Sequence, residues 1–557
     1  MSTYETKTAD NFIFDESMDP RESLSNSTPF LKKNLIYVSD QQAGNGTYTS
    51  GEVIVDSSSA ASSGNLNDWR NSYTAVPMRD TVTCTFASTG TVTSGAGNAR
   101  FLVGSKNFCD LESVKVEANG KTIITATQGL EALCTFKMLC TSTQDSLAKD
   151  GAVINFWPDD VGQVGVSATS YNAANALTAT ATTNVIGANR GLIERQQNLL
   201  PTAQTSFLTA AAVKLEGGCV DIGTGAFSNA TSSAVTVQDL HYVRIIRHKD
   251  VLDYFDKHGL SRGVGYRFTF KFNQAVSTLT FATGTSPFNS LPATVDTTIT
   301  SGSKQPAMLC AGPGTAAANL VLNTTTKATL VITHAIDTTS DARINGVRMY
   351  IPSYELDPSH QEKLLSKPVI SNDFTDFMTQ STQTYAAPGG AINVQVSTSA
   401  TNPRALIVVP RWSQTATGNG GQGFFSDVSP VSTVPGSTDG LLSLTNLQIK
   451  MGSEYVLPDR LNYGWATFID HISSIFALNG NQSSQTSGSI TKKMWDANHR
   501  YYAFDLSRYP DAMKNLPQMI SFEATNNSAV AIELQCYLVY GRNAERNLAN
   551  GTLTVTA

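Results

Sequence analysis

Four aromatic side chains at every second position, Tyr266, Phe268, Phe270 and Phe272, alternate with Arg267, Thr269, Lys271 and Asn273. Only an extended strand places such a series on one face, and a face of four rings has to cover a core. Just upstream, Asp250 with Asp253 three residues on predicts the start of a short amphipathic helix that carries Val251/Leu252 and Tyr254/Phe255. Gly259 predicts its left-handed stop.

A second copy of this order lies near the end of the chain. Stepping about 100° per residue places Trp465, Phe468, Ile469, Ile472, Ile475 and Phe476 on one arc, with Thr467, Asp470, His471, Ser473 and Ser474 opposite. A strand follows in which Tyr502, Phe504 and Leu506 alternate with polar or small residues. Each half then closes on a similar strand, Val347 to Ile351 and Leu534 to Leu538. The shared order of helix, aromatic strand and closing strand points to a duplicated domain.

A chain of 557 residues is long for one core and suits two domains. Charged residues make up 15%, below the roughly 25% of ordinary soluble proteins, as expected of a β-rich chain that hides surface in assembly. The net charge of −6 disfavours wrapping of nucleic acid and argues against sequence-specific nucleic-acid binding. No apolar run long enough to span a bilayer is present, and residues 1–17 lack signal-peptide features, so synthesis in a cytosol is expected. The seven cysteines, Cys84, Cys109, Cys134, Cys140, Cys219, Cys310 and Cys536, are odd in number and show no CxxC spacing, which favours reduced core thiols.

Read in order, residues 1–33 form a flexible arm. Strands follow at Leu35 to Val38, Glu52 to Asp56 and Thr81 to Phe86, and Asn119-Gly120 predicts a type I′ hairpin turn between Ser113 to Glu117 and Thr122 to Ala126. Leu130 to Cys140 reads as a further helix. Stretches rich in Ala, Thr and Ser near 161–234 and 278–326 read as elaborated loops. The first unit spans 34–358, a linker 359–367, a second unit 368–545 and a tail 546–557. In the second unit Asp373 to Phe377, Ile392 to Val396, Ala405 to Val409, Leu444 to Met451, Met519 to Phe522 and Ile532 to Tyr540 read as strands. Many short strands with few helices indicate an all-β chain of two sandwiches.

Chemistry-bearing motifs are sparse. Gly418-Asn419-Gly420-Gly421-Gln422-Gly423 matches a dinucleotide-binding glycine pattern, but no helical period follows it, so it reads as a loop. His241, His248 and His258 are close in sequence but fall on different elements, which makes a zinc site improbable; His258 is placed to favour a helix C-terminus. Asp159-Asp160 after Trp157-Pro158 is the one pairing of acids and aromatic that a sugar site would use, though a solvated turn explains it better. No GxSxG, HExxH or Walker A pattern occurs. We assign no catalytic, cofactor-binding or metal residue and expect no enzymatic activity.

Four places, taken together, resemble the double jelly-roll major capsid proteins of polinton-like viruses and virophages, the lineage that includes adenovirus hexon. They are Leu35 to Val38 with Asp68-Trp69-Arg70-Asn71-Ser72-Tyr73, the stretch from Val251 to Gln274, Met349-Tyr350-Ile351-Pro352-Ser353-Tyr354, and Tyr501 to Arg508. The resemblance implies two consecutive upright eight-stranded jelly rolls with short flanking helices and long loop insertions. It further implies a homotrimer forming a pseudo-hexameric capsomer of an icosahedral virion, with the insertions as towers or trimer contacts and the arm facing inward. Partners would be neighbouring capsomers, a penton protein, minor or cement capsid proteins and an inner membrane. The competing expectation is a carbohydrate-binding or carbohydrate-cleaving β-sandwich using Trp157, Asp159 and Asp160.

Overall fold

The computed structural model of the chain describes residues 30–158, 212–281, 295–412 and 442–556, with short interruptions inside each stretch. In the first half, eight strands build a sandwich: β1 (Phe30–Ser39), β2 (Glu52–Asp56), β3 (Tyr73–Phe86), β4 (Leu111–Ala118), β5 (Lys121–Ile124), β6 (Val235–Arg247), β7 (Tyr266–Phe272) and β8 (Arg348–Leu356). Their pairing runs β1-β8-β3-β6 in one sheet and β2-β7-β4-β5 in the other. Eight further strands build the second half: β9 (Val369–Ser381), β10 (Gly390–Ala400), β11 (Pro403–Trp412), β12 (Leu444–Met451), β13 (Glu454–Tyr455), β14 (Tyr502–Asp505), β15 (Gln518–Asn526) and β16 (Ile532–Asn547). Counted within their own half, they pair in the same order, β9-β16-β11-β14 and β10-β15-β12-β13. First beside eighth and second beside seventh is the nested Greek-key order of a jelly roll. The chain is therefore two consecutive jelly rolls.

Local sequence explains the best-formed elements. Tyr266, Phe268, Phe270 and Phe272 are all buried along β7 while Arg267 and Lys271 face solvent, so alternation placed the rings as expected. Each ring taken from water contributes about 1.5–3 kcal/mol. Ala405 to Val409, the uninterrupted apolar run, is buried on both faces within β11. At the β4–β5 turn Asn119 and Gly120 have φ of 49° and 77°, the left-handed pair that a type I′ turn needs.

Seven helices of note flank the sandwiches: α1 (Leu130–Thr141), α2 (Gln144–Ile154), α3 (His248–Val251), α4 (Asp253–Asp256), α5 (Pro358–Leu365), α6 (Trp465–Ala477) and α7 (Lys492–Ala497). The duplicated order read from sequence is offset by one strand. The aromatic strand Tyr266–Phe272 is the seventh of its sandwich and Tyr502–Asp505 the sixth of the other, while the two closing strands are equivalent. The counterpart of α6, which lies between fifth and sixth strands, is the α1–α2 pair. An alternation of period two identifies a strand facing a core but not its place in the sheet.

Several boundaries differ from the reading above. β1 begins at Phe30, so Lys32 and Lys33 belong to the sheet and not to an arm. The linker is helix α5, whose Leu364 packs with Leu66, Leu260, Tyr354, Leu356 and Leu548. The tail from 546 is also structural, since Leu553–Thr556 pairs with β16. The single helix over Asp250 to His258 is instead two one-turn pieces, broken where Leu252 takes φ −126° and ψ 118°. Asp250 lies within the first piece, and Gly259 is not left-handed. Within the insertions, described residues form strands: Cys219–Asp221 and Ala307–Ala311 pair with Phe101–Ser105, and Ser228–Asn229 and Leu320–Leu322 pair with Gly90–Ser94. The β3–β4, β5–β6 and β7–β8 connections are thereby tied together. Most of 161–234 and the glycine run at 418–423 lie outside the described residues.

Gly120 and Gly551 separate two reasons for glycine. A Cβ on Gly120 meets nothing within 4 Å, whereas one on Gly551 would stand 2.5 Å from the Gly263 carbonyl oxygen. Gly120→Ala is expected to cost about 1–2 kcal/mol, the left-handed backbone penalty alone. Gly551→Ala adds about 1–3 kcal/mol of overpacking. Urea midpoints check this, and equal losses in the two variants would contradict it.

Candidate functional site: the seam between the sandwiches

Helix α1 is apolar nearly all round, with Leu130, Ala132, Cys134, Phe136, Leu139 and Cys140 buried, and such a helix needs partners on every side. It finds them in both jelly rolls. Phe136 contacts Tyr501 and Phe468 of the second half at ring separations of 4.9 and 6.4 Å. The Leu139 carbonyl accepts from the Ser489 and Ile490 amides at 2.9 and 3.1 Å, and at its other end Gly129 accepts from the Tyr537 hydroxyl at 2.5 Å. One contiguous apolar cluster consequently runs from Val53 and Phe268 through Phe136 to Phe374, Leu406 and Phe522.

A polar interlock frames this core. Asp253, read as part of a helix cap, instead accepts from the Thr375 amide and hydroxyl on β9, at 2.9 and 2.7 Å. Burial raises its carboxyl, but Lys137, Lys257 and the Thr375 hydrogen bonds outweigh that and hold it below the ordinary carboxylate value. Arg546 on β16 is 1% exposed. Its guanidinium donates to the Gly259 and Leu260 carbonyls at 3.2 and 3.3 Å and to Asn372 Oδ1 at 3.0 Å. Asn372 in turn donates to the Lys257 carbonyl. Beside it the Tyr254 hydroxyl lies 2.7 Å from that of Tyr266, which lies 2.5 Å from His258 Nε2. His258 Nδ1 lies 2.5 Å from the Gly259 carbonyl oxygen, which accepts, and 3.0 Å from Arg546 Nη1, which donates. Burial, then the adjoining Arg546 charge, pushes the His258 pKa well below its usual value.

The three histidines singled out by sequence do not converge. His241 pairs with Asp337 at 2.6 Å, His248 lies between the hydroxyls of Ser72 and Thr74 at 2.6 and 2.8 Å, and His258 is in the seam. His258 thus serves the interlock and not a helix dipole. Among the described residues no three His, Cys, Asp or Glu side chains are grouped to hold a metal ion. Of the cysteines, Cys134, Cys140 and Cys536 are buried free thiols. Trp157 is buried, so its ring offers no platform to a sugar, and Asp159 and Asp160 lie outside the described residues. A cleft of about 940 Å³ opens along the seam, and Lys137, Arg247, Arg404 and Arg542 in its walls are interleaved with Asp250, Asp373 and Asp376. Charges so mixed select no ligand of one sign.

Sequence reasoning missed Arg546, Asn372 and Thr375. No local signal marks them, because their partners are more than a hundred residues away in sequence. Arg546→Met should leave the Gly259 and Leu260 carbonyls and Asn372 without a donor and cost about 2–4 kcal/mol in urea unfolding; a change within about 0.5 kcal/mol would contradict the interlock.

Burial lowers the His248 pKa from 6.5 to about 3. Between those values the unfolded chain binds the extra proton, so stability is lost as pH falls below about 6.5. His248→Gln is expected to flatten the urea-midpoint profile between about pH 7 and pH 4.5. An unchanged slope would exclude His248 as a source of the pH dependence.

Comparison with known protein families finds no match, and comparison with curated proteins finds none. Among solved structures, the chain is similar to one of the Sputnik virophage determined by cryo-electron microscopy, with 13% identity over 97% of this chain and 92% of that one and a TM-score of 0.48. It is similar also to the mavirus major capsid protein, at 11% identity over 100% and 95% with a TM-score of 0.46. The Faustovirus major capsid protein follows at 11% over 93% and 91%, with 0.43. By its own strand order the chain is a double jelly-roll protein.

Proposed function

We propose that the chain is the major capsid protein of an icosahedral virus, a structural protein that homotrimerises into pseudo-hexameric capsomers with each jelly roll upright in the shell. The observation that carries this is the repetition of one strand order in two sandwiches fused through a common core. Three copies of a rigid two-lobed unit set six similar sandwiches around a threefold axis, which gives the near-sixfold outline that hexagonal tiling requires. The working units are the β1–β8 and β9–β16 sandwiches with α5 between them. The small sheets tying the long connections of the first sandwich form the tower.

The mavirus and Faustovirus chains are major capsid proteins, and we extend that role to this chain as part of the proposal. We assign it no enzymatic step. Its partners are other capsomers, with a penton protein, minor or cement proteins and an inner membrane as further components, and its place is the virion. The net charge of −6 leaves neutralisation of the genome to those other components.

Light scattering on the purified protein should give a mass about three times 59.5 kDa, with hexagonal outlines by negative-stain microscopy. A stable monomer at micromolar concentration would contradict the capsomer.

A further inference from the structure

Three buried polar side chains lie in one row across the first sandwich. The strand Leu66–Asp68 runs between β8 and the short strand Leu260–Ser261, and its Asn67 is directly opposite Ser353 on one side and Ser261 on the other. Residues so opposed point to the same face of the sheet, with Cβ atoms about 4.5–5.5 Å apart. That face is the inner one, because Ile351, two residues from Ser353, is buried in the apolar core. Asn67, Ser261 and Ser353 are each 1% exposed.

The hydrogen bonding of this row is incomplete. The Asn67 side-chain nitrogen donates to the Ala60 carbonyl at 3.3 Å, and since a carbonyl only accepts, this contact fixes which end of the amide is turned away from it. Asn67 Oδ1, Ser261 Oγ and Ser353 Oγ have no hydrogen-bond partner among the described residues. Neither hydroxyl bonds the amide oxygen that lies between them. Polar atoms left unpaired in a core destabilise it, and native cores satisfy nearly all of theirs.

We propose that the row is an internal water site, in which ordered water bridges Asn67 Oδ1 to the hydroxyls of Ser261 and Ser353. The chemistry of the three atoms selects the occupant. Asn67 Oδ1 can only accept, so whatever lies against it has to donate a hydrogen, which excludes an anion. A metal cation would sit in the core on neutral oxygens, with no carboxylate among the three residues to offset its charge. Water donates and accepts, as the hydroxyls do, and the amide oxygen has two lone pairs, one for each side of the row. The site bears on the seam, since Leu260, the residue before Ser261, gives its carbonyl to Arg546. Bridging water thus holds the short strand that meets Arg546, whether or not the chain forms capsomers.

A high-resolution crystal structure of the full-length protein tests this directly. Solvent density is expected within about 2.5–3.0 Å of Asn67 Oδ1 and of both hydroxyl oxygens. A row without such density, or one whose hydroxyls bond protein groups instead, overturns the site. Ser261→Ala and Ser353→Ala, each of which removes a single oxygen, give a second readout in urea. The bridge predicts a lower midpoint for each variant, because the water loses a partner in the core. A hydroxyl with no partner predicts the opposite, since its removal relieves a buried polar atom. A midpoint unchanged or raised in either variant overturns the bridge.

Discussion

A guanidinium keeps its charge wherever it is placed, so a buried one has to be surrounded by acceptors. Arg546 meets most of that requirement, all but its Nε, by drawing on both jelly rolls: its own side provides Asn372, and the other provides the carbonyls of Gly259 and Leu260. Separating the two halves breaks the hydrogen bonds that Arg546 donates across the seam. The same boundary is crossed by α1, whose apolar surface is covered on one side by the first sandwich and on the other by Phe468 and Tyr501. The polar contacts set the register of the halves, and the shared apolar cluster supplies most of the stabilisation.

This division explains what the sequence could reveal. Contacts made within a strand or turn leave a local signature: alternation for Tyr266 to Phe272, a helical stripe for Trp465 to Phe476, and Asn-Gly for the β4–β5 turn. The seam leaves none. Asp253 looks like a helix cap because its neighbours in sequence are apolar at helical spacing, yet its carboxylate is committed to Thr375, 122 residues away. Leu252 has extended backbone angles where a continuous helix was expected, and that break directs Asp253 toward β9. The C-terminal segment likewise reads as a polar tail until its pairing with β16 is seen.

The buried histidines fit a structural role. Each of the three that sequence brought together as candidate ligands has its own partner, and burial keeps His248 and His258 neutral. A neutral imidazole that hydrogen-bonds on both sides holds its neighbours in place without introducing another buried charge. His248 does this for Ser72 and Thr74 at the start of β3, and His258 does it for the seam. Rigid lobes joined by a rigid seam are what the proposed role as a shell subunit would need, since strain applied at one contact then reaches the others.

The central claim is that the two jelly rolls form one cooperative unit. Native-state hydrogen exchange followed by mass spectrometry tests it most directly, by comparing the opening free energies of β7 and β15, the aromatic or apolar strands at the centre of each sandwich. The account predicts that the slowest amides of both strands open with one and the same global free energy. If β15 exchanged through an opening several kcal/mol cheaper than that of β7, or the reverse, the sandwiches would be independent domains and the seam a contact of little consequence.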